Sequence, residues 1–262
     1  MPMASAISTE SAIESLARDP LRHIVHLKQL LAYPDHVKAY RASDATGTAI
    51  LVAVDAAESP YDRQTYPEAA VVAFISSDHP DLTAALLPYL PRDAGIVFKL
   101  SRETNLPAVR AKFSLVRRTS FISFTSDDVV EPDAEVRVTT EPGEAAFRMF
   151  ETQGHERGWV ESMLESGRAV ACAPDSASVC LVYENWGPVW EVGGVVTAPA
   201  HRRKGLGARV VRTALAHLSE RGLKPRYQVE EHNVASIALA QSVGLAPFVT
   251  ITHYLTGERR SA

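Results

Sequence analysis

Arg202, Arg203 and Lys204 stand directly before Gly205-Leu206-Gly207, and this cluster is the part of the 262-residue chain best suited to hold phosphate. Three adjacent cations supply charge-assisted donors. Two glycines remove Cβ atoms where a ligand must come close to backbone N–H groups. An apolar, strand-like run, Val192-Gly193-Gly194-Val195-Val196, precedes the cluster. A helix-like run follows it, with Leu206, Val210, Ala214, Leu215 and Leu218 on one face. Such a turn offers the first-turn N–H groups, which lack intrahelical partners, at the positive end of the helix dipole. The P-loop pattern G-x-x-x-x-G-K-[ST] and the dinucleotide pattern G-x-G-x-x-G are not written here; Arg202-x-x-Gly205-x-Gly207 is. Read alone, that pattern also describes a basic surface turn capping an amphipathic helix.

The flanks separate the two readings. Pro225 to Val229 reads as the next strand, and Asn233 opens a short helix that Gly244 closes before Leu245. Upstream, Trp190 to Thr197 reads as a central strand. In this order and spacing the three segments resemble the GNAT superfamily of N-acetyltransferases over roughly Ala134 to Leu255. The run from Glu191 to Leu206 is closest in pattern to the glycine N-acyltransferase-like branch. The resemblance implies acetyl-CoA, or another acyl-CoA, as co-substrate. By it, Val195, Val196 and Thr197 of the strand, Arg202, Arg203, Lys204, Gly205, Leu206, Gly207 and Ala208 of the loop, and Asn233 and Ser236 would hold that co-substrate. It implies an acyl-CoA-dependent N-acyltransferase, most concretely acetyl transfer to the amine of a small molecule or amino acid. A protein lysine or N-terminal amine is the alternative acceptor, and a non-catalytic acyl-CoA sensor is the alternative function.

Acyl transfer to an amine needs a proton acceptor, donors for the oxyanion and, where useful, an acid for the leaving thiolate. An aliphatic amine, with a pKa of about 10.4, is almost fully protonated at neutral pH. By resemblance Glu191 is the expected base; the same residue would equally serve as partner to an arginine. A strand backbone N–H around Val195 to Thr197 would hold the oxyanion. Many relatives carry a tyrosine seven residues after the asparagine, whereas this chain has Ala240, so Ser236, Tyr227 or Tyr254 is the expected substitute acid. Trp159, Tyr183, Trp186 and His232 are candidates to line the acceptor site, and each also suits ordinary packing.

The elements that must position these residues follow from pattern. The expected class is α/β with a mixed sheet, divided into an N-terminal α/β domain (1–130) and a C-terminal GNAT domain (131–262). The first part alternates helices at 9–18 and 21–31, strands at 37–41, 49–55 and 70–76, a polar loop from Ser59 to Pro67, a helix at 81–90, a strand at 95–100, a helix at 105–112 and a strand at 114–125. It contains only Gly47 and Gly95 of the 14 glycines, so a glycine-dependent phosphate loop has no place in it. Its element order also fits a degenerate copy of the same fold. Asp127 to Pro132 reads as a linker. The second part begins with a strand at 135–139 and helices at 144–152 and 155–167. A hairpin turning at Ala173-Pro174-Asp175 follows, and the chain ends with a strand at 246–255 and a polar tail from Gly257 to Ala262.

Composition is that of an ordinary globular chain, 46% hydrophobic and 22% charged with a net charge of −4, which points away from nucleic acid. No apolar run approaches the roughly 18 residues of a membrane helix, and no leader is legible, so no membrane partner and a cytoplasmic location are expected. Cys172 and Cys180 read as buried apolar residues, and no metal-ligand spacing is present.

Overall fold

The computed structural model describes residues 2–174 and 177–257. Asp175 of the expected hairpin turn and most of the expected tail lie outside them. The fold is mixed α/β. Contacts divide the chain into two compact units: the chain up to Phe121 together with the segment from Val249 onward, and Ile122–Phe248.

In the first unit the order is β1 (Met3–Ile7), α1 (Thr9–Leu16), α2 (Pro20–Ala32), β2 (Val37–Asp44), β3 (Gly47–Asp55), α3 (Pro60–Thr65), β4 (Val71–Ser77), α4 (Pro80–Leu86), β5 (Ile96–Leu100), α5 (Leu106–Arg110) and the first part of β6 (Leu115–Thr125). The second unit continues with β7 (Arg137–Thr139), α6 (Glu144–Glu151), α7 (Arg157–Glu165), β8 (Ala169–Ala173), β9 (Ser178–Trp186), β10 (Val189–Thr197), α8 (Leu206–Glu220), β11 (Lys224–Glu230), α9 (Val234–Ser242) and the start of β12 (Ala246–Thr256). Apart from α3, the second sequence of elements repeats the first. In each unit four strands pair antiparallel in succession and the fourth then pairs parallel with the fifth. The first unit is thus a second copy of the same topology.

The copies differ where a ligand would matter. Strands β4 and β5 pair over five positions, Val71↔Ile96 to Ile75↔Leu100. Strands β10 and β11 pair over three, from Val189↔Lys224 to Glu191↔Arg226. After β4 the chain passes through Asp78-His79 into a seven-residue helix with no glycine.

Sequence boundaries hold closely where an amphipathic pattern defines them. Two differences have physical causes. The expected polar loop at 59–67 contains α3, with Pro60 at its first position. Its Asp62 is buried against Lys99, Nζ to Oδ1 2.7 Å, and a buried ion pair looks in sequence like two solvated charges. The C-terminal strand is shared: residues Thr252–Leu255 pair with β5 of the first unit. Composition marks where a chain changes character, whereas pairing of distant segments decides where its last strand belongs.

The second unit's core joins the faces of β8 to β11 to α8 through Val210, Val211, Ala214, Leu215 and Leu218. A separate cluster on α6 and α7 packs Phe150, Val160, Met163 and Leu164 against Val179 and Leu181 of β9. The two helix groups therefore cover different faces. Residues alternate along β10 accordingly, Trp190 and Val192 joining the α8 cluster while Glu191 and Gly193 lie beside Tyr183. Both cysteines are buried and unbonded, and burial pushes the Cys172 thiol up to about 12, which removes it as a nucleophile.

The first unit buries two neutral histidines. His26 is 1% exposed, with neither ring nitrogen partnered among the described residues, and burial holds its pKa at about 3. His253, hydrogen-bonded to Tyr66 Oη at 2.8 Å, is pushed down to about 2 by burial and then by Lys99. The unfolded chain takes up these protons near the ordinary value of 6.5, and the folded chain only far below it. Each histidine therefore removes up to about 1.4 kcal/mol of stability per pH unit as pH falls below 6.5, until its folded pKa is reached. Urea unfolding at pH 7 and pH 4.5 should show a smaller acid loss for His26→Leu than for wild type. Equal losses would discount the buried histidine.

Candidate active site

The parting of β10 from β11 is made by a side chain. Glu191 ends the paired region and is 6% exposed. Its Oε2 accepts from Arg226 Nη1 at 2.5 Å and Asn185 Nδ2 at 2.6 Å, and its Oε1 accepts from the backbone N–H of Gln228 at 3.1 Å. The carboxylate thus takes a β11 N–H that a continuing ladder would direct toward β10. Beyond this point β10 also bulges, because Gly193 faces Leu181 but Val196 faces Val179, one residue out of register. Gly194, at φ +55, occupies the bulge. From Gly193 to Thr197 the strand is partly exposed. A free strand edge of this kind pairs with an extended ligand.

The glycine loop follows immediately. Thr197 Oγ1 lies 2.9 Å from Ser178 Oγ, and Arg202 Nε donates to the Thr197 carbonyl at 3.2 Å, closing the turn. Arg203 at φ 60 and Gly205 at φ 78 are both left-handed, a backbone conformation of the kind that can form an anion-binding nest. Gly205 is the N-cap of the 15-residue α8 and supplies no side-chain cap. The first-turn donors are thus left without a side-chain cap at the positive end of the dipole, an arrangement suited to an anion. Arg203 and Lys204 are exposed beside them. A Cβ at Gly207 would meet Leu239 at 3.5 Å and Thr197 Oγ1 at 3.6 Å, so α8, α9 and β10 meet closely there. Arg209 is committed elsewhere, to both oxygens of Asp133 at 2.8 Å and to Glu135.

At the start of α9, Asn233 Oδ1 accepts the Ser236 N–H at 3.1 Å, the expected cap. Ser236 Oγ lies 2.7 Å from Tyr227 Oη, and burial raises the Tyr227 pKa. Ala240 is fully buried in the core. Tyr254 is a residue of the first unit, where its hydroxyl sits 2.7–2.8 Å from the carboxylate oxygens of Glu103. Of the four residues expected to act, Glu191, Tyr227 and Ser236 thus belong to the unit that carries the loop, and Tyr254 does not.

Of the expected acceptor residues, Trp159 and Tyr183 come together edge to face with ring centroids 5.2 Å apart. Trp186 sits at the end of β9 opposite Val189. His232 is exposed, 3.6 Å from Glu231.

The model of the Acetyltransferase (GNAT) family matches residues 125–245. This stretch is a GNAT-family acetyltransferase domain. Solved structures with the same fold extend over the whole chain. A GCN5-related N-acetyltransferase from Sphaerobacter thermophilus is 13% identical, covers 97% of this chain and 95% of its own, and has a TM-score of 0.58. An acetyltransferase from the GNAT family of Colwellia psychrerythraea gives 13%, 97%, 100% and 0.58. A tandem GNAT protein from the clavulanic acid biosynthesis pathway gives 11% identity, full coverage of both chains and a TM-score of 0.54. At such identities the likeness concerns fold alone, and it agrees with the repeated element order. No curated protein matches the chain. Among the described residues, no helix is long and apolar enough to cross a membrane.

The GNAT domain holds one residue that the sequence reading passed over as part of a helix. His155 lies before α7, its N–H bound to the Phe150 carbonyl at 3.2 Å. Its ring stacks on Trp159 at 5.6 Å and 14° and meets Tyr183 edge-on at 6.0 Å. A Cβ at Gly194 would stand 3.2 Å from His155 Nε2, so the ring lies directly on the β10 bulge. Two signals were present in the sequence. Gly154, at φ +81, is the kind of residue that ends a helix, and a glycine inside a strand marks close approach.

Proposed function

We propose that this protein is an acyl-CoA-dependent N-acyltransferase that moves the acetyl group of acetyl-CoA to the amine of a small molecule or amino acid. The observation that carries this reading is the opening of β10 from β11 immediately upstream of the Arg202–Gly207 nest. The nest and the N-terminus of α8 suit the pyrophosphate, with Arg203 and Lys204 as cationic donors. From Thr197 back to Gly193 the open edge measures about 13 Å at 3.3 Å per residue. An extended pantetheine arm hydrogen-bonded along Val195, Val196 and Thr197 would thus bring its thioester to the bulge. There a backbone N–H released from regular pairing can hold the oxyanion. Ser236 and Tyr227 form a hydroxyl pair on β11 and α9 suited to protonate the departing sulfur. Glu191 enters as the group that keeps the strands apart. The pattern of Glu191 to Leu206, like that of the glycine N-acyltransferase-like branch, favours a small amine over a protein one.

Calorimetric titration with acetyl-CoA, followed by thiol release with added amines, tests the reading. Binding within the usual ~1 μM to 1 mM range and amine-dependent release of CoA are expected. Absence of binding would remove it. Binding without release to any amine would instead make the protein a non-catalytic acyl-CoA sensor.

A further inference from the structure

We propose that His155 is the catalytic residue that takes the proton from the acceptor amine, beside Trp159 and Tyr183. The inference rests on the acyltransferase reading and adds to it the acceptor side of the site. Its basis is geometric. Nε2 of His155 lies against Gly194, the left-handed residue of the bulge, where the thioester would come to rest. The approach depends on glycine, since a side chain at 194 would stand 3.2 Å from both Nε2 and Leu181 Cβ. His155, Trp159 and Tyr183 lie on the α6–α7 side of the sheet, opposite the α8–α9 cluster that backs the nest and slot. An amine entering there would reach the thioester carbon from the face the co-substrate leaves open. Trp159 is 39% exposed, so this side of the site is reachable from solvent. An ammonium group over the exposed part of Trp159 is held by the electron-rich face of the indole before it reacts.

Among the described residues, the charged group acting on His155 is Glu191 of β10, while β9 presents the Tyr183 phenol and α7 the neutral Trp159. Burial lowers the His155 pKa from 6.5, with Glu191 opposing. The imidazole is therefore neutral at pH 7, with a lone pair free to accept. Burial likewise raises Tyr183, which stays a neutral phenol. Glu191 is already engaged by Asn185, Arg226 and the Gln228 N–H, and is a positioning residue.

In the step, Nε2 removes one proton from R–NH3+, and the freed nitrogen pair attacks the thioester carbon. The C–N bond forms while the carbonyl π pair moves to oxygen. Collapse of that oxyanion breaks the C–S bond, and sulfur leaves with the bonding pair. A second proton leaves nitrogen and one proton is delivered to sulfur, so the amide and free CoA form and one net proton passes to solvent.

The test is the pH dependence of acetyl transfer to three probe amines (2-phenylethylamine, putrescine and lysine) by the full-length protein and by His155→Gln. Wild type should show an acid limb in kcat/KM below pH 6.5. The variant should lose that limb and about 10²- to 10³-fold in kcat, with acetyl-CoA affinity within twofold of wild type. Added imidazole should restore part of the rate of His155→Ala, which a structural role would not allow. An unchanged acid limb and rate in the glutamine variant would overturn the assignment while leaving the acyltransferase reading intact. Acetyl-CoA binding by wild type without transfer to any probe would overturn both.

Discussion

Gly205→Val should weaken acetyl-CoA binding by about 100-fold or more, equivalent to about 2.7 kcal/mol. Two effects act together. Gly205 has φ +78, a region that costs a β-branched residue about 1–3 kcal/mol unless the loop rearranges. If it rearranges, the nest loses its left-handed conformation, and the added methyl groups occupy the space in which the pyrophosphate would sit. The protein itself has room for them, because a Cβ at 205 meets nothing within 4 Å. The variant should consequently fold, with Tm lowered by about 2–12 °C at most through the strain, and the larger loss should appear in calorimetric titration. Gly207→Ala is a graded comparison: its Cβ makes ordinary contacts with Leu239 and Thr197, and its loss should be smaller. Wild-type affinity in Gly205→Val would mean that the nest is not where the co-substrate binds.

Glu191→Gln should lower thermal stability, acetyl-CoA affinity and turnover together. An amide replaces one acceptor oxygen with a donor, in a place where Asn185 Nδ2, Arg226 Nη1 and the Gln228 N–H all donate. Arg226 is buried, and its Nε and Nη2 already lack partners among the described residues. Removing the one charge that faces it leaves an uncompensated cation, at a cost of about 3–5 kcal/mol. For a chain of this size that corresponds to a fall of about 6–20 °C in Tm. The fork between β10 and β11 would lose the group that holds it open, so the slot should suffer with the fold. A glutamate acting only as base would behave differently, turnover falling alone. Scanning calorimetry with acetyl-CoA titration separates the cases, and an unchanged Tm and affinity with a collapsed kcat would return Glu191 to the role of base.

These two residues show different degrees of legibility. The nest could be read because its parts are neighbours in the chain: the cations, the glycines, the strand before and the helix after lie within one short stretch. The Asn233 cap and the burial of both cysteines were equally local inferences. Glu191 was visible as a carboxylate on the central strand, but its three donors come from β9 and β11. Neither spacing nor composition links Glu191 to Arg226, 35 residues away, more than to any other arginine. The proline-bearing segment at 59–67 reads as a polar loop because nothing in the sequence ties Asp62 to its buried partner, Lys99.

The sequence alone determined the class of fold, the strand–glycine loop–helix order around Arg202–Gly207 and the absence of such a glycine loop from the first half, since each follows from periodicity or from residues adjacent along the chain. Tertiary structure alone decided three things. It ended the β10–β11 ladder at a buried ion pair, it set His155 on the Gly194 bulge, and it gave the last residues of β12 to the first unit. Each is a contact between segments far apart in the chain. Which of many chemically suitable partners meet is fixed by how sheets and helices close around their cores, and a linear pattern does not encode that choice.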